Sequence, residues 1–196
     1  MTQGKATAVI LLLLMALLGA GCSSKSSSPP NLTAEVLAVS DLPTGWTVDS
    51  AVPAVGAPAC LQPIASQPGA SLSAQVRFAA GTNRIPVVHE DLAWFPSGGA
   101  AALTNYDNLI GSCQNVTITY RRLKLPGTVT SMSFPHLGDG SAAYQLLLTL
   151  RGVTIGLDEV TARKGDTVMS LSYEAIGTPD TSQVQQIAMT AISKIH

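Results

Sequence analysis

The sequence predicts an α+β fold, in which a single domain forms an antiparallel β-sheet flanked by helices. Segments with period-two alternation of apolar and polar residues follow one another at hairpin-like spacing. Helical patterns lie before and after these segments rather than between each pair. A short apolar leader precedes the folded part, and without residues 1–21 the chain has 196 − 21 = 175 residues, the length of one domain.

Four segments have helical patterns. They are Asn31–Val39, Pro58–Ser66, Pro96–Cys113 and Thr178–Ile195. Asn31 offers an N-cap for the first helix, and a turn at Asp41–Gly45 follows it. In the last helix the apolar residues form one continuous stripe, which predicts a helix packed on the sheet.

The predicted strands share alternating positions bounded by turn residues. They cover Trp46–Val48, Ser71–Ala79, Val87–Phe95, Val116–Lys124, Thr128–Phe134, Ala142–Leu150, Val153–Ala162 and Thr167–Ile176. Short glycine-containing turns separate the last three strands, as expected for hairpins. In the final strand, Val168, Ser170, Ser172 and Glu174 alternate with an apolar set, which predicts one buried and one solvated face.

Residues 1–21 have the pattern of a secretory signal peptide. Lys5 precedes an uncharged run that ends in Gly19-Ala20-Gly21 before Cys22, and this run is too short for a membrane span. A cysteine at this point resembles the lipobox of bacterial lipoproteins, in which the thiol is acylated and the peptide is cut before it. The resemblance implies a lipid anchor at Cys22, attached to the membrane without crossing it. A secreted protein with a free Cys22 is the alternative.

Residues 22–31 follow as a Ser/Pro-rich tether, and residues 32–196 form the folded domain. Besides Cys22 the chain has only Cys60 and Cys113, and two cysteines in an oxidising compartment predict a disulfide. Metal binding is the alternative. No CxxC motif or histidine at ligand spacing accompanies the two residues. We therefore expect no metal site and no cofactor.

Composition argues against a nucleic-acid partner. The chain is 12% charged with a net charge of −1, so it has no general attraction to phosphate backbones. Arg121, Arg122 and Lys124 form the only local basic cluster, which we interpret as the solvated face of a strand.

Catalytic motifs are missing from the sequence. His89, His136 and His196 are far apart in the sequence, and Gly138–Ala142 lacks the second glycine of a nucleophile elbow at Ser141. The adjacent carboxylates Glu90-Asp91 and Asp158-Glu159 point to opposite faces of their strands and are interpreted as surface charge. We therefore expect no enzyme activity.

Trp46 and Trp94 are the candidate ligand-binding residues, because aromatic residues are only 5% of the chain. A groove for an apolar ligand would use such side chains. Core packing explains them equally well and is the interpretation we favour.

Three stretches carry a further resemblance. They are Asp41–Trp46 after a short helix, Phe95–Ser97 leading into a helix that ends at Cys113, and Gly138–Tyr144 followed by paired strands and a closing helix. Over residues 32–196 they resemble the sensor-domain lipoproteins of actinobacteria, similar to the PknH-like extracellular domain of mycobacterial receptor kinases. The resemblance implies a ligand-binding groove and a Cys60–Cys113 disulfide. The second disulfide of the kinase-type domain has no counterpart in this chain.

Together these observations predict a membrane-anchored, non-catalytic envelope lipoprotein, held at the extracytoplasmic face of the cell membrane. Its sensor-like domain would bind an unknown small-molecule, lipid or protein ligand. An envelope hydrolase and a structural spacer of the envelope are the alternatives.

Overall fold

The central feature of the computed structural model is a nine-stranded antiparallel sheet. The structure describes residues 28–50, 55–56, 58–120 and 123–196. The predicted signal peptide, Cys22, and Arg121 and Arg122 of the basic cluster lie outside these residues. Among the described residues, none of the helices has the length and hydropathy that a bilayer span requires.

Within the described ranges, three α-helices and nine strands follow one another in chain order. They are α1 (Leu32–Glu35), β1 (Trp46–Val48), β2 (Val55–Gly56), β3 (Leu72–Ala80), β4 (Val87–Trp94), α2 (Gly99–Gly111), β5 (Asn115–Tyr120), β6 (Leu123–Ser131), β7 (Gly140–Leu150), β8 (Val153–Lys164), β9 (Thr167–Ile176) and α3 (Thr181–Lys194). The spatial order in the sheet is β1-β3-β4-β9-β8-β7-β6-β5-β2. The antiparallel sheet with flanking helices confirms the predicted α+β architecture.

Helices cover both faces of the sheet, so the domain has two apolar cores. One core packs α1 and α3 against one face, around Val88, Leu92 and Leu171. The other packs α2 and the disulfide-bearing segment against the opposite face, around Ile64, Ile110 and Leu146. The prediction that β9 has one solvated face is therefore wrong, because α2 covers that face and leaves Val168 fully buried and Ser170 8% exposed.

The first predicted helix is much shorter in the structure. It was expected to reach Val39, but α1 ends at Glu35 and Val36 has an extended backbone. The backbone N–H of Leu37 donates to Glu90 Oε2 at 2.6 Å. This bond to a central strand takes a donor that continuing the helix would have used.

The second predicted helix is replaced by two 3₁₀ turns, Ala59–Leu61 and Ile64–Ser66. Pro63 lies between them and has no N–H for a helical bond, while its ring forces Gln62 into an extended conformation. The loop predicted between β5 and β6 is also misplaced, because Pro126 and Gly127 pair within the ladder. A Cβ on Gly127 would meet methyl groups of Leu148 and Leu146, so a larger residue at this strand position would require those side chains to shift.

Residues outside α2 fix its start. Both oxygens of Asp166, in the β8–β9 turn, accept backbone N–H groups, from Ser97 at 3.0 Å and from Gly99 at 3.3 Å. At the other end of α2, Cys113 is bonded to Cys60, with 6.1 Å between their Cα atoms. The predicted disulfide is confirmed, and together these contacts hold α2 over the centre of the sheet.

Candidate functional site

The register of three central strands brings polar side chains together beneath α2. His89 on β4 pairs with Ser172 on β9, and Ser172 pairs with Glu159 on β8. Two residues along, Asp91 pairs with Ser170. Side chains two apart on a strand share a face, so these groups all point toward α2.

These residues line a cavity of about 150 Å³, which we call the α2-side cavity. Its polar lining is His89, Asp91, Tyr106, Glu159, Ser170 and Ser172. Leu61, Pro63, Ile118, Leu146 and Leu157 form its apolar walls. An apolar pocket with a few converging polar groups is the usual form of a small-molecule site.

The interpretation of both carboxylate pairs as surface charge is wrong. Asp91 is 3% exposed and Glu159 is 9% exposed, and their partners Glu90 and Asp158 are fully buried. The two carboxyls of each pair do point to opposite faces of the sheet, as predicted. Because helices cover both faces, however, neither orientation reaches solvent.

A hydrogen-bond network connects Glu159 to α2. Glu159 Oε1 lies 2.5 Å from Ser170 Oγ, which lies 3.4 Å from the Tyr106 hydroxyl. That hydroxyl also donates to the carbonyl of Gln62 at 3.1 Å. Each of these three hydrogen bonds needs one proton, and the hydroxyls of Ser170 and Tyr106 provide only two. The network is complete when Glu159 is protonated.

Burial is the main cause of the altered acidity of both cavity carboxyls. It raises the pKa of Glu159 to about 7, with the hydrogen bond from Ser170 opposing the change and the nearby Asp91 and Asp107 adding to it. Burial also raises the pKa of Asp91 to about 6, opposed by backbone N–H groups of Ala65 and Ile64. At neutral pH Asp91 is therefore mostly ionised, and Glu159 is poised between its two forms.

No positive charge compensates these carboxyls within the part of the chain that the structure describes. None of its ion pairs includes Asp91 or Glu159. His89 lines the same cavity, but burial and then the nearby Arg77 charge lower its pKa, so its ring is neutral at pH 7. Arg77 itself pairs with Asp49 at 3.1 Å.

The other carboxyl of each pair lies on the opposite face of the sheet. Glu90 accepts the Leu37 N–H, and Asp158 accepts a bond from Gln145 Nε2 at 3.0 Å. One oxygen of each, Glu90 Oε1 and Asp158 Oδ2, has no hydrogen-bond partner. Burial raises the pKa of Glu90 to about 7. Its bond to Leu37 holds the segment after α1 against the sheet.

A larger hollow, which we call the outer groove, adjoins the α2-side cavity. Its volume is about 700 Å³, and it shares His89 and Pro63 with the cavity. Val39 and Val48 are exposed apolar residues on its wall, 40% and 68% exposed. The cavity therefore lies beside a wider apolar surface.

The two tryptophans lie away from both hollows. Trp46 is 5% exposed and packs edge-on against Tyr173, with 6.1 Å between ring centroids. Trp94 is half-buried against the same core. Neither residue lines the α2-side cavity or the outer groove. Their proposed ligand role stays an untested prediction.

The remaining candidates do not form a site with one another. Ser141 Oγ accepts the Leu137 N–H at 2.9 Å, a bond within the Gly138–Gly140 turn. His136 and His196 are exposed. Within the described ranges, no group of three or more histidine, cysteine or acidic residues could hold a metal ion.

No protein-family model matches the chain, and no curated protein matches its sequence. Four solved chains match it in structure. One of them is the extracellular domain of PknH from Mycobacterium tuberculosis, with a TM-score of 0.64 and 16% identity. The match covers 82% of this chain and 92% of that domain. At this identity the likeness shows the fold, and this chain has the fold of that extracellular domain.

Proposed function

We propose that this protein is a lipid-anchored, extracytoplasmic binding domain without catalytic activity, and that its ligand enters the α2-side cavity. The observation that carries the proposal is this cavity, with three hydroxyls and two carboxyls converging between apolar walls. The fold shared with the extracellular domain of PknH supports a sensor-like role. A structural spacer would have no use for such a cavity.

The environment of Ser141, the serine that the sequence analysis weighed as a nucleophile, favours binding over hydrolysis. Ser141 Oγ accepts the Leu137 N–H in a turn, and no histidine of the described residues hydrogen-bonds to it. Loss of ester or peptidoglycan hydrolysis on Ser141→Ala would overturn the non-catalytic part of the proposal.

Native mass spectrometry tests the binding function. The full chain is extracted in detergent from its own membranes, and we expect an additional bound mass on the wild type. Ser172→Leu fills the cavity and should remove that mass, because Ser172 lines it. Ser193→Leu is the matched control at an exposed position of α3 and should keep it. A wild-type protein without any bound mass contradicts the proposal.

The anchor rests on the sequence pattern around Cys22. Two acyl chains hold a protein stably at a bilayer, since each buried methylene contributes about 0.8 kcal/mol. We expect radiolabelled palmitate to enter the wild type and not Cys22→Ala, and the variant to appear folded in the medium. An unlabelled wild type that is already free in the medium would refute the anchor.

A further inference from the structure

The carboxyls of the α2-side cavity have no cation of the described residues to neutralise them. Asp91 and Glu159 are both more than nine-tenths buried, and Asp107 of α2 lies close enough to oppose further negative charge there. The described part of the chain places no cation against them. An ionised carboxylate buried without a cation is unfavourable, so such a site is complementary to a positively charged guest.

The size of the cavity limits that guest. A water molecule in the liquid takes up about 30 Å³, so about 150 Å³ corresponds to about five non-hydrogen atoms. The apolar walls at Ile118, Leu146 and Leu157 match a short hydrocarbon chain. A polysaccharide or a whole peptide does not fit this volume.

The polar lining matches one end group in particular. A primary ammonium has three hydrogen-bond donors and no acceptor. Asp91, Glu159 and the Ser172 hydroxyl line the cavity, and each offers an acceptor oxygen. A carboxylate guest would instead meet Asp91 with like charge.

We propose that the α2-side cavity binds a small primary alkylammonium ion, whose charged end pairs with Asp91 and whose chain packs on the apolar walls. This inference rests on the proposed function and adds the chemical class of the ligand.

Three probes of similar size test the inference on the full chain in detergent: n-butylammonium, 1-butanol and butyrate. Binding is followed by changes in the backbone amide signals of Ser170 and Ser172. From the concentration dependence of these signals, we expect n-butylammonium to bind at least tenfold more tightly than 1-butanol. We expect butyrate to leave the signals unchanged. Equal or tighter binding of 1-butanol or butyrate overturns the inference.

Asp91→Asn removes the charge and keeps the shape, and we expect at least tenfold weaker n-butylammonium binding. Glu174→Gln is the control, since Glu174 lies on the same face of β9 but does not line the cavity. It should change the affinity less than twofold. If Asp91→Asn does not fold, the comparison of probes on the wild type still decides the question.

Two further results distinguish a lipid-bound from a free ammonium group, and separate a failure of this inference from a failure of the proposed binding function. Displacement of n-butylammonium by phosphatidylethanolamine vesicles would indicate that the ligand is a lipid headgroup. It would overturn the inference that the ligand is a free ion. A native bound mass that contains no amine overturns the inference and leaves the binding function intact. If no probe shifts the cavity amides and no native mass is bound, both fail.

Discussion

Replacing Glu159 by glutamine should remove a pH-dependent loss of stability. The pKa of Glu159 is raised from 4.5 to about 7, mainly by burial. The folded state therefore binds more protons than the unfolded state between these values, and stability falls as pH rises through about 7. Each pKa unit corresponds to about 1.4 kcal/mol, so the loss is about 3 kcal/mol.

Glutamine has the shape of protonated glutamate and can donate to Ser170 Oγ through its amide. At pH 5 we expect Glu159→Gln and the wild type to have similar free energies of unfolding. At pH 8 the variant should be more stable, by about 3 kcal/mol at most. Asp91 and Glu90 titrate in both proteins, so the difference between the two isolates Glu159.

Urea denaturation of both proteins from pH 5 to pH 8 measures this difference. Glu174→Gln, on the same sheet face but outside the cavity, is a comparison variant; because burial also raises the pKa of Glu174, its stability relative to the wild type should change with pH in the same direction. A difference between wild type and Glu159→Gln that does not change with pH would refute the reasoning. So would a variant that loses stability relative to the wild type as the pH rises.

Three further changes test the packing of the domain. Cys60→Ala should lower the free energy of unfolding by about 4 kcal/mol, because the disulfide spans 53 residues, and reduction of the wild type should reproduce the effect. Gly138→Ala should cost about 2 kcal/mol or more, since Gly138 has a φ of +56° and an added Cβ would meet the Arg163 carbonyl; an unchanged melting temperature would contradict this. Lys194→Met should cost at most about 1 kcal/mol, since its ion pair with Asp41 is partly exposed. A larger loss in 1 M salt would contradict the screening argument.

Local patterns were sufficient for the regular elements. Alternation located β3 and β7 to β9, and the stripe from Val184 to Ile195 located α3 to within a few residues. In these elements the apolar side chains recur at the period of the secondary structure, so the pattern is visible in the sequence. Local patterns placed the end of α1 wrongly, because a distant residue, Glu90, accepts the Leu37 N–H and fixes the backbone there.

The candidate site was missed for the same reason. The sequence showed that Asp91 and Glu159 each point to one face of their strands, but not that α2 covers that face. One signal was present: Val87, Val88, Leu92 and Ala93 surround Glu90 and Asp91 with apolar residues on both faces of β4. Continuous apolar runs mark strands buried on both sides, and carboxyls within them are buried too.

The place of β9 in the sheet has a consequence for the folding of the newly made chain. β9 lies between β4 and β8, so among the described strands it alone joins the β1-β3-β4 half of the sheet to the five-strand half. Because synthesis proceeds from the amino end, the two half-sheets stay separate until Thr167–Ile176 has been made. Until then β4 and β8 each present an unpaired edge, which can pair with other chains. Protection of the newly made chain from aggregation therefore depends on how soon this one segment becomes available.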